Sequence, residues 1–374
     1  VPRPGSAAPV GGGLAAIWHR GVAGPVLHVD VTSLYPSLML ARAVAPRADA
    51  LGVFLGLLGH LREVRVRAKR LAQEAAGADE RAHLGALQAS FKILINAFYG
   101  YLAYGPGHWN DFEAADRVTA EGRAVVGAIL DRLRALGATP LEADTDGVYF
   151  VAPPGHRAED DGGLLERIAE GLPTGIALEL DGRFAAMLSY KMKTYALLDE
   201  RGRVQLKGSG FRSRGLEPFQ RRIIGEIVLH LLRGGRGEVK AVIDRWLAAF
   251  AAHAVPVRDF ARTETLQDTL EAYREAVRAG ARPPAAAYEV AEATGRVWQP
   301  GDPISFYVAG RGTRSAVSEQ ARAASLWDPA RPDENVEYYQ ARVLEIWERF
   351  RPFTEHEGLL PADDEDGSAQ LSLF

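Results

Sequence analysis

The chain has 374 residues, no cysteine, 47% hydrophobic and 25% charged residues, and a formal net charge of −4. Single cores seldom grow past roughly 250–300 residues, so this length excludes a one-domain protein and predicts two or three subdomains. The lack of cysteine excludes disulfides, thiolate zinc sites and iron–sulfur clusters, is typical of a reducing compartment, and leaves oxygen or histidine as metal ligands.

The first elements predict a strand followed by a helical hairpin. Pro25–Tyr35 is apolar and rich in β-branched residues, which predicts a buried strand that runs into a turn at Pro36. Leu51–Glu74 has apolar residues near a 3.6-residue period and a basic opposite face, which predicts a helix. A second helix is expected over about 82–98. The turn through 76–79 makes the pair an antiparallel hairpin that projects from a sheet domain.

The middle of the chain predicts strands mixed with one helix. A helix is expected over 117–136, closed by Gly137. Strand–turn–strand patterns follow over 141–152, with Asp146 and Gly147 at the turn, and over 194–207. This region therefore predicts an α+β fold with an antiparallel sheet.

The last third of the chain predicts mainly helices. They are expected over 220–232, 238–253 and 264–279, after a domain boundary near Leu216. Residues 361–369 are small and acidic, which predicts a disordered tail.

Charge is unevenly distributed along the chain. Residues 191–222 carry nine Lys or Arg against three Asp or Glu, whereas residues 353–374 carry six acidic residues and no Lys or Arg. The first segment therefore favours polyanions. No stretch predicts a membrane span or a signal peptide. The start at Val1 and the Pro/Gly/Ala-rich lead indicate a cut from a longer protein.

Three aspartates are candidates for metal binding. Asp30 ends the apolar strand, and Asp144 and Asp146 are two residues apart, which places them on one face of a strand near Asp30. Clustered carboxylates repel one another unless cations lie between them, and Mg²⁺ suits oxygen ligands and substrate phosphates. The alternative is structural: Asp30 caps a turn, and Asp146 and Gly147 form a hairpin turn.

Cationic and aromatic residues align on the two predicted helices. Lys92, Asn96 and Tyr99 share one helical face, and Arg65 and Lys69 are four residues apart on the preceding helix. Such cations can bind a triphosphate, with Arg making bidentate contacts. The alternative is a solvated basic face, which is the commoner fate of such runs.

Six segments of the chain resemble the motifs of family B DNA polymerases, and their order and spacing agree with those of the family. DVTSLYPS resembles motif A, KILINAFYG motif B and DTD motif C. The other three resemble the glycine-rich element before the palm, the palm motif that touches the primer, and the segment leading to the thumb. The six lie, in chain order, at Gly11–Gly13, Asp30–Ser37, Lys92–Gly100, Asp144–Asp146, Lys193–Tyr195 and Lys207–Gly208.

This resemblance implies a fold of palm, fingers and thumb. The palm would comprise residues 1–50 and 101–215, the fingers hairpin 51–100, the thumb 216–360 and a flexible acidic tail 361–374. Nothing resembles the family's exonuclease domain, so we expect it to be absent from this chain.

The resemblance also assigns residues to the chemistry. Asp30 and Asp146 would bind two Mg²⁺ ions, with Mn²⁺ as an alternative, and Asp144 would lie in the same cluster. The reaction implied is template-directed addition of dNTPs to a primer 3′-hydroxyl. Tyr35 would stack under the sugar and exclude a ribose 2′-hydroxyl. The remaining nucleotide-binding positions would be Ser33, Leu34, Arg65, Lys69, Lys92, Asn96 and Tyr99. Primer–template DNA would be held by Lys193, Tyr195, Lys207, Gly208, Arg212 and Arg214.

Three residues depart from the common family pattern. Ala97 replaces a serine after the motif B Asn, Gly147 replaces a frequent serine after motif C, and Ala143 stands where glycine often precedes it. None of these changes removes a metal ligand. We therefore expect activity to persist, with fidelity open to change.

The C-terminal pentapeptide predicts a further partner. It resembles the peptide by which bacterial polymerases dock on the β sliding clamp, and its apolar anchors on an acidic tether suit an apolar pocket. An ordinary frayed terminus is the alternative. The peptide favours a bacterial type. We also expect a monomer that is cytoplasmic and nucleoid-associated. The peptide consists of Gln370, Leu371, Ser372, Leu373 and Phe374.

Two other functions stay open at this point. The chain could be a non-catalytic, clamp-tethered DNA-binding scaffold, or a polymerase fragment that is inactive without an N-terminal half. Retention of the three aspartates argues against the scaffold, because a remnant has no physical need for carboxylates that repel one another.

Overall fold

The structure is a computed structural model. It describes residues 11–213, 215–313, 316–362 and, for the backbone alone, 369–372. The chain divides into two compact units, Val1–Arg203 with Leu359–Phe374, and Val204–Gly358. The subdomain bounds given above stay a prediction.

The strands lie mostly in the first unit. The first unit contains β1 to β7, the second unit contains β8 to β11, and β12 and β13 return to the first. They are β1 Gly11–Ile17, β2 His19–Ala23, β3 Val26–Val31, β4 Thr139–Thr145, β5 Gly147–Val151, β6 Leu178–Lys191, β7 Thr194–Asp199, β8 Val204–Lys207, β9 Arg262–Thr265, β10 Pro303–Val308, β11 Ala321–Ala323, β12 Leu359–Pro361 and β13 Ala369–Ser372.

The helices follow the same division. Five belong to the first unit and the others to the second. They are α1 Leu34–Ala41, α2 Val53–Glu74, α3 Ala78–Leu102, α4 Phe112–Ala135, α5 Asp161–Ala169, α6 Ser209–Arg212, α7 Pro218–Leu232, α8 Arg236–Ala251, α9 Val257–Phe260, α10 Leu270–Arg278, α11 Ala286–Ala293, α12 Val317–Gln320, α13 Val336–Phe350 and α14 Pro352–Glu355.

The first unit is built on one antiparallel sheet. Its strand order is β12-β2-β6-β3-β5-β4-β1-β13, and β7 pairs with the second half of β6. Leu27, Val29 and Phe150 of the central strands pack against Val126 and Ile129 of α4. The alternation of apolar and polar residues along β3 thus buries one face and leaves the other for polar side chains.

The helical hairpin predicted between the strands is present as α2 and α3. Phe54 and Leu58 of α2 and Ile95 of α3 pack on Met39 of α1 and Val118 of α4. The hairpin therefore rests on the two helices that cover the sheet.

A charged contact joins the segment before α2 to the start of α4. Asp111 caps α4 by accepting a hydrogen bond from the Ala114 N–H at 3.1 Å. Its other oxygen accepts from the backbone and the side chain of Arg47, at 3.0 and 3.1 Å. Burial opposes the charge of Asp111, but these hydrogen bonds prevail and lower its pKa.

The turn expected at Pro36 is instead part of a helix. α1 begins at Leu34, so Pro36 occupies its third position. Proline is tolerated in a first turn because the N–H group it lacks would have no intrahelical partner there.

The second unit combines helices with a small sheet, in the antiparallel order β11-β10-β9. The helix expected over 264–279 begins only at Leu270, because Arg262–Thr265 pairs with β10 and Thr269 caps the helix. The fold class is nevertheless confirmed: an α+β protein with an antiparallel sheet, an inserted helical hairpin and a mostly helical second unit. Among the described residues, no helix has the length and apolarity needed to cross a bilayer.

Candidate active site

The β4–β5 hairpin brings Asp146 to the end of β3. Asp30 lies opposite Gly147 in the β3–β5 pairing. The Val31 N–H also donates to the backbone oxygen of Asp146 at 2.9 Å. Two of the three predicted aspartates are therefore held together by the ladder itself.

The hairpin turn lies one residue earlier than predicted. Thr145 has the positive φ, +65°, and the Asp146 N–H donates to the Asp144 backbone oxygen at 2.8 Å. The turn is thus centred on Thr145 and Asp146. The period-two alternation that was expected to relate Asp144 to Asp146 ends at this turn.

The electrostatics of the aspartates indicate a concentrated negative charge. Burial raises the pKa of Asp30 to about 7, and the charge of Asp146 contributes next. Burial and the charge of Asp144 also raise the pKa of Asp146. Lys92 lowers the pKa of both Asp30 and Asp146. The repulsion would be relieved by a cation between the carboxylates.

Asp30 and Asp146 fit a divalent cation better than Asp144 does. Half-buried, mutually repelling carboxylates are the oxygen donors that Mg²⁺ prefers. Asp144 instead forms an ion pair with Lys193, whose Nζ lies 2.7 Å from its Oδ1. Within the described ranges, no three His, Asp or Glu side chains are arranged as a complete metal-binding set.

The predicted triphosphate ligands of α2 face the sheet. The Arg65 guanidinium donates to Ser33 Oγ at 2.6 Å, and its buried Nε–H has no acceptor in the part of the chain described. Lys69 Nζ lies 2.9 Å from Glu179 of β6. A donor of Arg65 is thus unused, and Lys69 has a carboxylate partner that an anion would have to replace.

The other nucleotide-binding positions flank these cations. Ser33 has a left-handed φ of +51° and precedes α1, and Leu34, the first residue of α1, is buried. Lys92 and Asn96 are exposed on α3.

Tyr35 lies in a narrow slot. Its ring packs on that of Tyr99, with 4.4 Å between the centroids. A Cβ on Gly13 would lie 2.5 Å from the Tyr35 hydroxyl, and one on Gly122 would lie 2.9 Å from Cε1. Burial raises the pKa of Tyr35 to about 12. The position of the ring therefore depends on two glycines that leave it room.

The predicted DNA contacts are divided between the units. Lys193 and Tyr195 lie at the β6–β7 hairpin of the first unit, and the Tyr195 hydroxyl is 3.1 Å from that of Tyr149. Lys207, Gly208 and Arg212 belong to the second unit.

The remaining predicted positions are described in part or not at all. The backbone of residues 369–372 forms β13, with Gln370 opposite Leu14 of β1; this strand includes Leu371 and Ser372. Arg214, Leu373 and Phe374 lie outside the described residues.

Sequence reasoning missed several residues beside the aspartates. Glu179 lies opposite Asp30, and both Glu179 and Asp181 raise the pKa of Asp30. The sequence did contain a signal for Glu179 and Asp181, because apolar and acidic residues alternate over 178–181 with the period of a strand. Glu142 carried no such signal: it is fully buried, burial raises its pKa to about 8, and it accepts the Lys193 N–H at 2.6 Å.

His28 explains the glycine after motif C. Its ring stacks on Tyr149 with centroids 4.0 Å apart, and its Nδ1 lies 3.2 Å from Asp181 Oδ2. A Cβ on Gly147 would lie 2.4 Å from His28 Nε2 and 3.1 Å from Asp30 Oδ1. The absence of a side chain at Gly147 is therefore a packing requirement of this site.

Comparison with known proteins places this chain in a family. Residues 44–350 match the model of "DNA polymerase family B". The chain belongs to this family, as its motifs indicated.

Relatives with similar sequences are archaeal. The chain is 27% identical over 364 residues to "DNA polymerase 1" of Pyrococcus abyssi, and 28% identical over 369 residues to "DNA polymerase" of Desulfurococcus sp. strain Tok. Each match covers 90% of this chain and 46% of the relative. The chain therefore spans about half the length of these relatives.

A solved structure has the same fold. The family B DNA polymerase of Pyrobaculum calidifontis matches with a TM-score of 0.70 at 21% identity, over 93% of this chain and 48% of that one. This likeness supports the fold alone.

The Tyr35 slot predicts opposite effects for two alanine substitutions in α4. Gly122→Ala places a Cβ 2.9 Å from the Tyr35 ring, and such overpacking costs about 1–3 kcal/mol. Gly127→Ala meets no atom within 4 Å and gains helix propensity of up to about 1 kcal/mol. Urea denaturation should show lower stability for the first variant and equal or higher stability for the second. Gly122→Ala gains the same helix propensity, so equal stability of the two alanine variants would contradict the slot.

Proposed function

We propose that this chain is the catalytic part of a template-directed DNA polymerase that adds dNTPs to a primer 3′-hydroxyl. One observation carries the proposal: Asp30 lies opposite Gly147, the residue after Asp146, the charge of Asp146 acts on Asp30, and the charge of Lys92 acts on both aspartates. A carboxylate pair beside a cation on a neighbouring helix is suited to phosphoryl transfer.

The carboxylates of Asp30 and Asp146 would hold two Mg²⁺ ions, and Mn²⁺ is the alternative metal. Bound Mg²⁺ would supply charge stabilisation at the phosphates. Burial and the neighbouring charges raise the pKa of Asp30 and of Asp146, which a bound cation would reverse. The hydrogen bond between Val31 and the Asp146 carbonyl holds the end of β3 against the hairpin turn. Asp144 contributes charge to the cluster, and its own partner is Lys193.

The chain's own cations would orient the triphosphate. Arg65 has an unused donor at Nε, and an oxyanion would satisfy it better than a neutral acceptor. Lys69 would exchange Glu179 for a phosphate, and Lys92 would approach from α3. The backbone at Ser33 and Leu34 would add N–H donors at the start of α1, while Asn96 and Tyr99 would line the nascent base pair.

Substitution of the two aspartates tests the catalytic proposal. Asp30→Ala and Asp146→Ala should each slow primer extension by at least about 100-fold, because each removes a cation ligand worth several kcal/mol. The affinity for primed DNA, measured by fluorescence anisotropy, should change little. Asp131→Ala, at an exposed position of α4, is the matched control.

The outcomes separate polymerase from scaffold. If the wild-type chain extends the primer and both aspartate variants do not, the result supports the polymerase. DNA binding by wild type without any extension favours a scaffold, or a fragment that needs further chain. Undiminished extension by either variant rules out the assignment of the aspartates.

We propose that Tyr35 excludes ribonucleotides. Its ring is held between Gly13, Gly122 and Tyr99, so it cannot retreat from a 2′-hydroxyl without a clash. Tyr35→Val should reduce the preference for dNTP over rNTP about 10-fold or more. Tyr104→Val, at an exposed tyrosine, should retain the preference in the same single-nucleotide assay. Unchanged sugar selectivity in Tyr35→Val would exclude this role.

Primer–template DNA and dNTPs are the proposed ligands. Lys193, Tyr195, Lys207, Gly208, Arg212 and Arg214 would grip the DNA backbone, which predicts salt-sensitive, sequence-independent binding. A monomeric state, a bacterial type, a nucleoid location and the absence of an exonuclease domain from this chain stay predictions.

The C-terminal pentapeptide is proposed to bind a β sliding clamp. Because residues 369–372 pair with β1, docking requires this backbone to leave the sheet edge. Removal of residues 369–374 should abolish binding to a purified bacterial β clamp in surface plasmon resonance, since the apolar anchors are lost. Ser368→Ala, which lies before the pentapeptide and keeps those anchors, should bind like wild type. Equal binding by the shortened chain would refute the clamp proposal.

A further inference from the structure

Two acidic residues of β4 hold two nitrogen atoms of one lysine. Glu142 Oε1 accepts the backbone N–H of Lys193 at 2.6 Å, and Asp144 Oδ1 lies 2.7 Å from the Lys193 ammonium. Glu142 and Asp144 are two residues apart in the strand, so their side chains emerge on the same face. The backbone and the side chain of Lys193 are thus fixed by neighbouring carboxylates.

Lys193 has a conformation that needs such support. It lies in the short turn between β6 and β7, where Lys191 is paired with Thr194. Its φ is +59°, in the left-handed region that residues other than glycine seldom adopt. A hydrogen bond from its N–H to a buried carboxyl oxygen favours this one conformation over others.

The position of Glu142 is otherwise unfavourable for an acid. Its side chain is fully buried. The nearby Ser189 hydroxyl lowers its pKa, but Oε2 accepts no hydrogen bond of good geometry from the described residues. Burial of a carboxyl group costs free energy that an apolar residue would avoid. The largest contact that offsets this cost is the hydrogen bond from the Lys193 backbone.

The same hairpin carries the second predicted primer contact. Tyr195 follows Lys193 by two residues, and its hydroxyl lies 3.1 Å from that of Tyr149. Tyr149 is the cross-strand partner of Glu142 in the β4–β5 pairing. Glu142 therefore lies at the base of both residues that are expected to meet the primer strand.

We propose that Glu142 is a positioning residue for primer binding: it locks the β6–β7 turn so that the Lys193 ammonium is held beside Asp144, where it meets the primer backbone. This inference rests on the proposed polymerase function. Glu142 does not contact DNA in this scheme, and its effect passes through Lys193.

Four variants test this scheme in the whole chain. Glu142→Leu removes the acceptor at similar size, Glu142→Gln keeps an acceptor oxygen, Lys193→Ala removes the ammonium, and the fourth combines Glu142→Leu with Lys193→Ala. The affinity for a primed template is measured by fluorescence anisotropy over a range of salt concentrations. Steady-state kinetics of single-nucleotide addition give kcat and the KM for DNA. If the leucine variant does not fold, Glu142→Asp, whose shorter side chain withdraws the carboxylate from the turn, replaces it.

Glu142→Leu should reproduce the effect of Lys193→Ala. Both should weaken DNA binding about 3- to 10-fold and lower the slope of log K against log salt by about 1, as expected for one lost phosphate contact. The loss should appear in the KM for DNA rather than in kcat. Glu142→Gln should restore the affinity, and the double variant should be no weaker than Lys193→Ala. Losses that multiply in the double variant, or an unchanged salt slope in Glu142→Leu, would overturn the proposal.

A measurement without DNA separates this inference from the polymerase proposal. Amide hydrogen exchange at Lys193 should be slow in wild type and Glu142→Gln, and fast in Glu142→Leu. Fast exchange in wild type would show that Glu142 does not hold the turn. A wild-type chain that neither binds nor extends primed DNA would refute the polymerase function instead, whatever the exchange result.

Discussion

The repulsion between Asp30 and Asp146 is the constraint on which the rest of the first unit depends. Two half-buried carboxylates separate unless the backbone prevents it, and here the hydrogen bond between Val31 and the Asp146 carbonyl joins the end of β3 to the β4–β5 turn. The sheet is antiparallel at this point, so both strands are anchored by ladders on either side. The pKa of Asp30 is raised first by its burial and then by the charge of Asp146, so the fold holds this carboxylate at a cost in free energy.

Three of the cations around the aspartates have an acidic or polar neighbour within the first unit. Arg65 binds Ser33, Lys69 binds Glu179 and Lys193 binds Asp144. The two lysine pairs are partly exposed ion pairs, which contribute little to stability and are screened by salt, so a polyanion can replace them at small cost. The arrangement keeps the charges aligned on rigid helices and strands before any ligand arrives.

The sequence was most informative where periodicity and motifs agreed. The strand that ends at Asp30 and the α2–α3 hairpin were predicted from apolar spacing, because burial of one face imposes that spacing. Local backbone geometry was not predictable in the same way. The turn lies at Thr145 and Asp146 rather than at Asp146 and Gly147, since Thr145, which is not a glycine, adopts a positive φ there. Glu142 was missed because a buried acid leaves no periodic signal. β9 was taken for the start of a helix because four residues are too few to show a strand period.

The contact between His28 and the backbone at Gly147 makes two distant positions interdependent. His28 fills the space that any side chain at 147 would need, and stacking on Tyr149 prevents it from turning aside. A serine at 147, as other members of the family carry, therefore requires a smaller side chain at 28. Homologous sequences should sort into two classes, one with a large ring and glycine, the other with a small residue and serine. A change from one class to the other needs substitutions at both 28 and 147. A large ring with serine would clash, and a small residue with glycine would leave an empty space beside Asp30.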